Sequence, residues 1–271
     1  MRGKRSEMPR FGSRNEPKLP APTKAVAEWP TCRGAYRSQA NHVLVLHTVS
    51  YNRTMTSRLK DLATQALKEG WASGSGSLPL LRLGARDLGW SEVTFRGTDP
   101  PVMSLRPLDA AEARPNSLSS RYGRGAQPFH TDGAHLLEPP DFVLLLAGET
   151  SEVPTVLWKC EIIHYQLPSY TDLKHGVFLV RNGSESFFRT AASGLNLRYD
   201  PGCMAPCDER SRRAVRFFEG VTKSAVEHHW DAPGKVLLID NRRVLHARAA
   251  AEDEPGREIT RVAFRAAASK S

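Results

Sequence analysis

The sequence predicts a mainly β fold with flanking helices, of the double-stranded β-helix or jelly-roll type. From about residue 78 onward, short apolar segments lie between clusters of Gly, Pro, Asp and Asn, as is typical of strands joined by turns. Helical periodicity is restricted to two segments. Because the strands must then pair across long sequence distances, without a regular alternation of strand and helix, two antiparallel sheets are favoured over a parallel α/β array.

The strand pattern recurs in seven segments, each bounded by turn-forming residues. The predicted strands are residues 42–49, 78–83, 93–97, 141–149, 154–159, 235–248 and 258–266. The sixth segment contains Asp240 and Asn241, where we expect a turn, and the turn-rich residues 252–256 connect it to the seventh.

Two segments carry the 3.6-residue period of an amphipathic helix. The first has apolar residues at the helical positions Leu59, Leu62, Ala63, Ala66 and Leu67. Thr56 or Ser57 can cap this helix and Gly70 can end it. The second spans about residues 208–226, with one apolar side formed by Ala214, Phe218, Val221 and Ala225.

Composition predicts one globular domain preceded by a tail. The chain has 271 residues, of which 40% are hydrophobic and 25% charged. Residues 1–28 are basic and lack an apolar period, so we expect a flexible arm, followed by a single domain over residues 29–271. The sequence contains neither a secretory signal nor a long apolar stretch, so we expect a soluble cytoplasmic protein without a membrane partner. The net charge of +9 favours anionic partners.

Three side chains form a candidate metal site. His130 and Asp132 are two residues apart in the segment FHTDG, and because side chains alternate faces in an extended segment, they point the same way. An imidazole and a carboxylate so placed supply two ligands of a 2-His-1-carboxylate site, which leaves open positions on iron(II). His246, after the Asp240–Asn241 turn, is the best candidate for the third. Taken alone, an H-x-D triplet also occurs in surface turns.

Several segments together resemble the taurine dioxygenase and clavaminate synthase-like branch of the 2-oxoglutarate oxygenases. They are PFHTDG (128–133), PTVLW (154–158), LRYD (197–200), DNRRVLHAR (240–248) and REITR (257–261), in the order in which the family has them. The most specific is DNRRVLHAR followed by an R-x-x-x-R segment. The resemblance covers about residues 118–266, and motifs of the commonest competing enzyme classes, such as Gly-rich phosphate loops, are absent.

The resemblance implies a role for each of these residues. His130, Asp132 and His246 would bind iron(II), while Arg257 and Thr155 would bind the far carboxylate of the co-substrate 2-oxoglutarate. The chain would use dioxygen to oxidise, and most simply to hydroxylate, a small molecule, with release of succinate and carbon dioxide. Because halogenating relatives leave the position of Asp132 to chloride, halogenation is disfavoured.

The two arginines of the last strand suit anion binding. Arg257, Ile259 and Arg261 share one face of that strand, so both guanidinium groups can face the cavity. A guanidinium meets a carboxylate with two parallel hydrogen bonds and stays charged when desolvated. In the resembling family the second arginine often holds an acidic group of the substrate. We therefore expect Arg261 to bind an anionic substrate, such as an amino acid; the alternative is a simple ion pair with Glu258 or Asp240.

Two further functions stay open at this stage. The basic charge suits a nucleic-acid dealkylase of the same chemistry, but the sequence lacks the interleaved basic and aromatic residues that would hold a flipped base, so we do not expect a nucleic-acid partner. The second is a jelly-roll binding protein without catalysis. His228 and His229, expected at the end of the second helix, are interpreted as packing residues rather than metal ligands.

Overall fold

The computed structural model describes residues 58–183 and 185–267, except for the side chains of Ile162 and Ile163. The arm at residues 1–28 and the strand predicted at 42–49 lie outside these residues. In chain order, the elements are α1 (58–69), β1 (Trp71–Ser75), α2 (Leu78–Asp87), β2 (Ser91–Val93), β3 (Val102–Leu105), α3 (Leu118–Tyr122), β4 (Phe142–Ala147), β5 (Ser151–Lys159), α4 (Pro168–His175), β6 (Phe178–Asn182), β7 (Glu185–Arg189), β8 (Ala192–Ser193), β9 (Asn196–Leu197), β10 (Met204–Pro206), α5 (Glu209–Gly220), β11 (Val226–Trp230), β12 (Lys235–Asp240), β13 (Val244–Arg248) and β14 (Ile259–Arg265).

Two antiparallel sheets form the centre of the fold. The larger has the strand order β1-β12-β4-β14-β2, with β3 also paired to β14. The smaller has the order β11-β5-β13, and an antiparallel bridge between His130 and His246 adds a further chain segment beside β13. Neighbouring strands come from distant parts of the sequence, as the jelly-roll prediction requires.

Three apolar layers hold the sheets together. Between the sheets, Leu145, Leu237 and Ile259 of the larger sheet pack with Leu157 and Val244 of the smaller. On the other face of the larger sheet, α1 and α2 pack over residues of β4, β12 and β14. On the outer face of the smaller sheet, α5 and the strands β6 and β10 bury a third cluster. Burial of these apolar surfaces, which contributes roughly 25 cal/mol per Å², is the main stabilising term.

Most of the predicted elements are confirmed. Helix α1 buries Leu59, Leu62, Ala63 and Ala66, although Leu67 is 46% exposed. Helix α5 begins after Asp208, whose carboxylate accepts a hydrogen bond from the Ser211 amide, and a 3-10 turn (Val221–Ser224) continues it. Strands β4 and β14 lie within the predicted segments, β5 includes residues 154–159 but begins three residues earlier, and residues 235–248 contain two strands, β12 and β13, in different sheets.

Three local predictions were wrong. Residues 78–83 form helix α2 rather than a strand, because Pro79 suits a first helical turn and Leu81 and Ala85, four residues apart, are buried on one side. Of the strand predicted at 93–97 only Val93 is in a strand, β2. His228 and His229 lie in β11, not at a helix end. Among the described residues, none of the helices combines the length and apolarity that a membrane crossing needs.

Candidate metal centre

The backbone brings His130 and His246 side by side. The amide of each residue donates to the carbonyl of the other, both at 3.0 Å, and their imidazole rings lie 4.5 Å apart between centroids. In β13, His246 shares a face with Val244, whose side chain lies in the layer between the sheets. Both rings therefore point into the interior of the jelly roll.

Asp132 completes a compact cluster with the two histidines. Its Oδ1 lies 3.7 Å from His130 Nε2 and its Oδ2 lies 3.7 Å from His246 Nε2. One candidate ligand atom from each of the three residues lies within 4.8 Å of the others. Asp132 and His246 are only 5% and 6% exposed. The structure thus brings together the three residues that the sequence predicted as metal ligands.

Neighbouring groups orient these side chains. The Asn241 side chain accepts a hydrogen bond from the Asp132 amide and donates to the Asp132 carbonyl, both at 3.0 Å, and it also donates to the Pro140 carbonyl. His130 Nδ1 lies 3.0 Å from the Pro128 carbonyl and donates to it, so Nε2 is the ring nitrogen on the side of Asp132. Hydrogen bonds from neighbouring groups to a metal-binding residue fix the direction in which its ligand atom points.

The protonation states suit a divalent cation. Burial, together with the neighbouring His130, lowers the pKa of His246 to about 3, so this imidazole is neutral near pH 7. Burial is the largest single effect on Asp132 and raises its pKa, but Arg261 and the neighbouring histidines together outweigh burial and lower that pKa, so the carboxylate is ionised. Asp132 Oδ2 is buried without a hydrogen-bond partner among the described residues. The neutral imidazole of His246, the imidazole of His130 and one carboxylate with such an oxygen are the ligand types of an iron(II) site.

Arg261 lies in direct contact with this cluster. Its Nη1 donates to Asp132 Oδ1 at 2.9 Å, and its guanidinium carbon lies 4.1 Å from the centre of the Phe95 ring. Neither of the two acidic partners considered for it from the sequence, Glu258 and Asp240, is its partner. Arg261 Nε is buried without a hydrogen-bond partner in the described part of the chain. The guanidinium is therefore held at one edge and keeps a free donor.

A cavity of about 450 Å³ opens beside the cluster and contains the other two predicted residues. Thr155 is 4% exposed and Arg257 is 6% exposed, and both line the cavity. Burial lowers the pKa of Arg257 to about 10, which leaves it charged near neutral pH. Within residues 58–183 and 185–267, no group accepts a hydrogen bond from Arg257 Nε. The nearby Glu254 instead accepts from the amides of Glu152 and Val153.

Arg248 is a cavity residue to which the sequence alone gave no role. Arg248 lines the cavity and lies two residues after His246 on the same strand face. Its Nη2 donates to the carbonyls of Gly123 and Gly125, at 2.9 and 2.8 Å. Because side chains in a strand alternate between its two faces, the two-residue spacing of His246 and Arg248 in the segment HAR could have predicted that Arg248 also faces the cavity.

Comparison with known proteins gives a consistent result. Residues 172–263 match the family model described as taurine catabolism dioxygenase TauD, TfdA family. The resemblance predicted from the sequence is confirmed. The matched region contains His246, Arg257 and Arg261. The other two candidate metal ligands, His130 and Asp132, lie before it in the sequence. No protein with a curated description matches the chain by sequence.

Solved structures share the fold at low sequence identity. An asparagine oxygenase in complex with Fe(II), 2S,3S-3-hydroxyasparagine and succinate superposes with a TM-score of 0.61 and 17% identity, over 79% of this chain and 79% of that one. The non-heme iron oxygenase OrfP in complex with Fe and alpha-ketoglutaric acid gives a TM-score of 0.58 and 18% identity, over 80% of each chain. A variant of OrfP in complex with (3S)-hydroxy-L-Arg gives 0.60 and 18%, over 78% and 80%. The jelly-roll fold is confirmed.

Proposed function

We propose that this protein is an iron(II)- and 2-oxoglutarate-dependent dioxygenase that hydroxylates a small amino-acid-like molecule. The observation that supports this most directly is the cluster of His130, Asp132 and His246, which faces a cavity that contains Arg257, a buried arginine whose Nε has no hydrogen-bond partner among the described residues. The matched TauD family model supports the same chemistry. Iron(II) held there would supply the oxidation, in which dioxygen and 2-oxoglutarate yield succinate, carbon dioxide and one hydroxyl group on the substrate.

The protein groups supply binding and orientation. Arg257 and Thr155 are proposed to hold the far carboxylate of 2-oxoglutarate, because a buried cation without an ion-pair partner is stabilised by an incoming anion. Trp230 Nε1 donates to Thr155 Oγ1 at 3.2 Å. Since an indole N–H is only a donor, the Thr155 hydroxyl is left to donate its own proton elsewhere, toward the cavity.

The charges of the cavity favour a substrate with a carboxylate. Six arginines line the cavity, against three carboxylates: Arg96, Arg106, Arg114, Arg248, Arg257 and Arg261, against Asp99, Asp132 and Asp200. We assign the substrate anion to Arg261, whose Nε has no partner among the described residues. A volume of about 450 Å³ is within the range of small-molecule sites.

One cavity carboxylate suits the ammonium group of an amino acid. Asp132 pairs with Arg261 and Asp99 pairs with Arg114. Asp200 accepts a hydrogen bond from the Gly202 amide but has no cationic partner in the described part of the chain. Opposite charges at Arg261 and Asp200 would match a zwitterion, which makes free amino acids the first compounds to test. The hydroxylated amino acids bound by asparagine oxygenase and OrfP agree with this choice.

The test is turnover of 2-oxoglutarate by the purified protein with iron(II) under air. We expect succinate release that increases when a panel of amino acids includes the true substrate, together with a product that has gained one oxygen atom. Asp132→Ala is the matched negative control. A protein that binds 2-oxoglutarate but releases no succinate with any amino acid or related acid would contradict catalysis and favour a binding module.

A further inference from the structure

The strand that carries His246 presents a second side chain to the cavity. Arg248 shares the inner face of β13 with His246 and lines the same cavity as Thr155 and Arg257. The register of β13 and β5 places Arg248 directly opposite Thr155. Side chains so paired have Cβ atoms about 5 Å apart. Arg248 therefore lies next to the residue proposed to contact the far carboxylate of 2-oxoglutarate.

The hydrogen bonds of Arg248 leave part of its guanidinium unused. Nη2 donates to the Gly123 and Gly125 carbonyls. Nε is buried, and none of the described residues accepts a hydrogen bond from it. A guanidinium has five N–H donors, and a buried donor without an acceptor costs about 1 to 3 kcal/mol. A ligand oxygen in the cavity would remove that cost.

Arg248 and Arg257 also place two positive charges close together. The charge of Arg248 is, after burial, the second cause that lowers the pKa of Arg257. Burial likewise lowers the pKa of Arg248. Neither guanidinium has a carboxylate hydrogen-bond partner in the residues that the structure describes. Two partly desolvated cations near each other are costly unless an anion binds between them.

We infer that Arg248 binds the far carboxylate of 2-oxoglutarate together with Arg257 and Thr155, so that two arginines hold that end of the co-substrate. This inference rests on the proposed function. It gives Arg248 a second task as well, because its Nη2 anchors the segment after α3, and Leu118 and Ser119 of α3 line the cavity. The residue that receives the co-substrate is thus the one that holds this part of the cavity wall.

The experiment compares two ligands that differ only at the far end. We would titrate 2-oxoglutarate and 2-oxopentanoate, which keeps the 2-oxo acid but lacks the far carboxylate, into the iron(II) protein without oxygen, by calorimetry. In Arg248→Met we expect 2-oxoglutarate to bind on the order of 10 to 100 times more weakly, as for the loss of one hydrogen bond between charged groups. Binding of 2-oxopentanoate should not change. Arg265→Met, an exposed arginine whose Nη2 donates to the Glu138 carbonyl, is the matched control.

The outcomes separate a ligand contact from a structural role. Equal weakening of both compounds, or no weakening of either, would overturn the inference. If Arg248→Met does not fold, Arg248→Lys provides the same comparison: it keeps the charge but cannot offer a carboxylate two parallel hydrogen bonds, and the loss should again be restricted to 2-oxoglutarate. Wild-type protein that fails to bind 2-oxoglutarate would overturn the proposed function itself, which is a distinct result.

Discussion

The main chains of His130 and His246 exchange two hydrogen bonds, each of 3.0 Å, so the two candidate metal ligands are direct cross-strand partners. Their separation is therefore determined by the register of the sheet rather than by the flexibility of either side chain. If the pairing register of β13 shifted by one residue, the His246 side chain would point away from the cavity, and that of Leu245 or Ala247 would take its place. The geometry of the candidate metal site therefore depends on the strand pairing.

The first prediction concerns iron binding. The purified chain should bind about one iron(II) per molecule, as expected for a single facial triad. Asp132→Ala should lose this binding and all turnover, because two imidazoles alone leave the site one ligand short. Equilibrium dialysis without oxygen measures the stoichiometry, and Asp231→Ala, which changes an exposed aspartate paired with Lys235, is the control. Iron affinity unchanged in Asp132→Ala would refute the assignment.

The sequence predicted those parts of the site that depend on short-range geometry. The two-residue spacing of His130 and Asp132, and the four-residue spacing of Arg257 and Arg261, predicted that each pair points the same way, because the strand period of two residues is a local property. The pairing of His130 with His246 spans the fold, so local spacing could name His246 only as a candidate ligand, and the family resemblance supported that choice. The contact between Arg261 and Asp132 joins two sheet regions and was not anticipated.

The errors in the fold have a similar physical origin. Residues 78–83 are apolar except for Arg82, and this short apolar segment predicted a strand although it contains Pro79. In the folded chain, the helical spacing of Leu81 and Ala85 lets α2 cover the outer face of the larger sheet. A short apolar segment cannot be assigned to helix or strand by its period alone, and its tertiary partner decides.

The second prediction tests the contact with 2-oxoglutarate that is proposed for Arg257. Arg257→Met should raise the apparent Michaelis constant for 2-oxoglutarate, because the binding free energy of one buried charged pair, about 2 to 5 kcal/mol, is lost. Iron binding should stay unchanged. The reason is that Arg257 is buried with no acceptor for its Nε in the described residues. Succinate release measured over a range of 2-oxoglutarate concentrations gives the constant. Identical saturation curves for the wild type and the variant would assign the carboxylate to another residue.

The third prediction concerns Trp230 as a positioning residue. Trp230→Phe removes the N–H that donates to Thr155, so the Thr155 proton is no longer directed at the cavity. We expect 2-oxoglutarate to bind roughly three to ten times more weakly, the value of one neutral hydrogen bond. In a Thr155→Val background the same change should have no further effect, a result that general damage to the core would not give. Trp158→Phe is the control. It also removes an indole N–H, but Trp158 packs in a different apolar cluster and donates to Ser224 rather than to Thr155.

The fourth prediction concerns stability and pH. Burial, followed by the charge of Lys235, lowers the pKa of His228 to about 4 from an ordinary value of 6.5. As the pH falls from 6.5 toward 4, the unfolded chain binds a proton at this position that the folded chain does not, so the free energy of unfolding decreases. His228→Gln should make the decrease smaller, as measured by urea unfolding between pH 7 and pH 5. The adjacent His229→Gln, in which the replaced side chain is 62% exposed, should behave like the wild type.

The last prediction concerns the substrate anion and Arg261. This side chain is fixed at one edge by Asp132 and by the Phe95 ring, while its Nε has no partner among the described residues. If the free donor binds a substrate carboxylate, the wild type should prefer a substrate acid to its amide, and Arg261→Met should lose that preference. Because the same variant releases Asp132 Oδ1, its iron affinity should also fall, by about tenfold or more as for other residues that orient a metal ligand.

The comparison of acid and amide must therefore be made at saturating iron(II), so that loss of metal is not mistaken for loss of substrate recognition. Arg106→Met is the matched control, because Arg106 also lines the cavity but is already paired with Glu258. It should keep the wild-type preference for the acid. Equal preference in the wild type and in Arg261→Met, with weaker iron binding in the variant, would show that Arg261 acts only on the metal ligand and that another cavity arginine binds the anion.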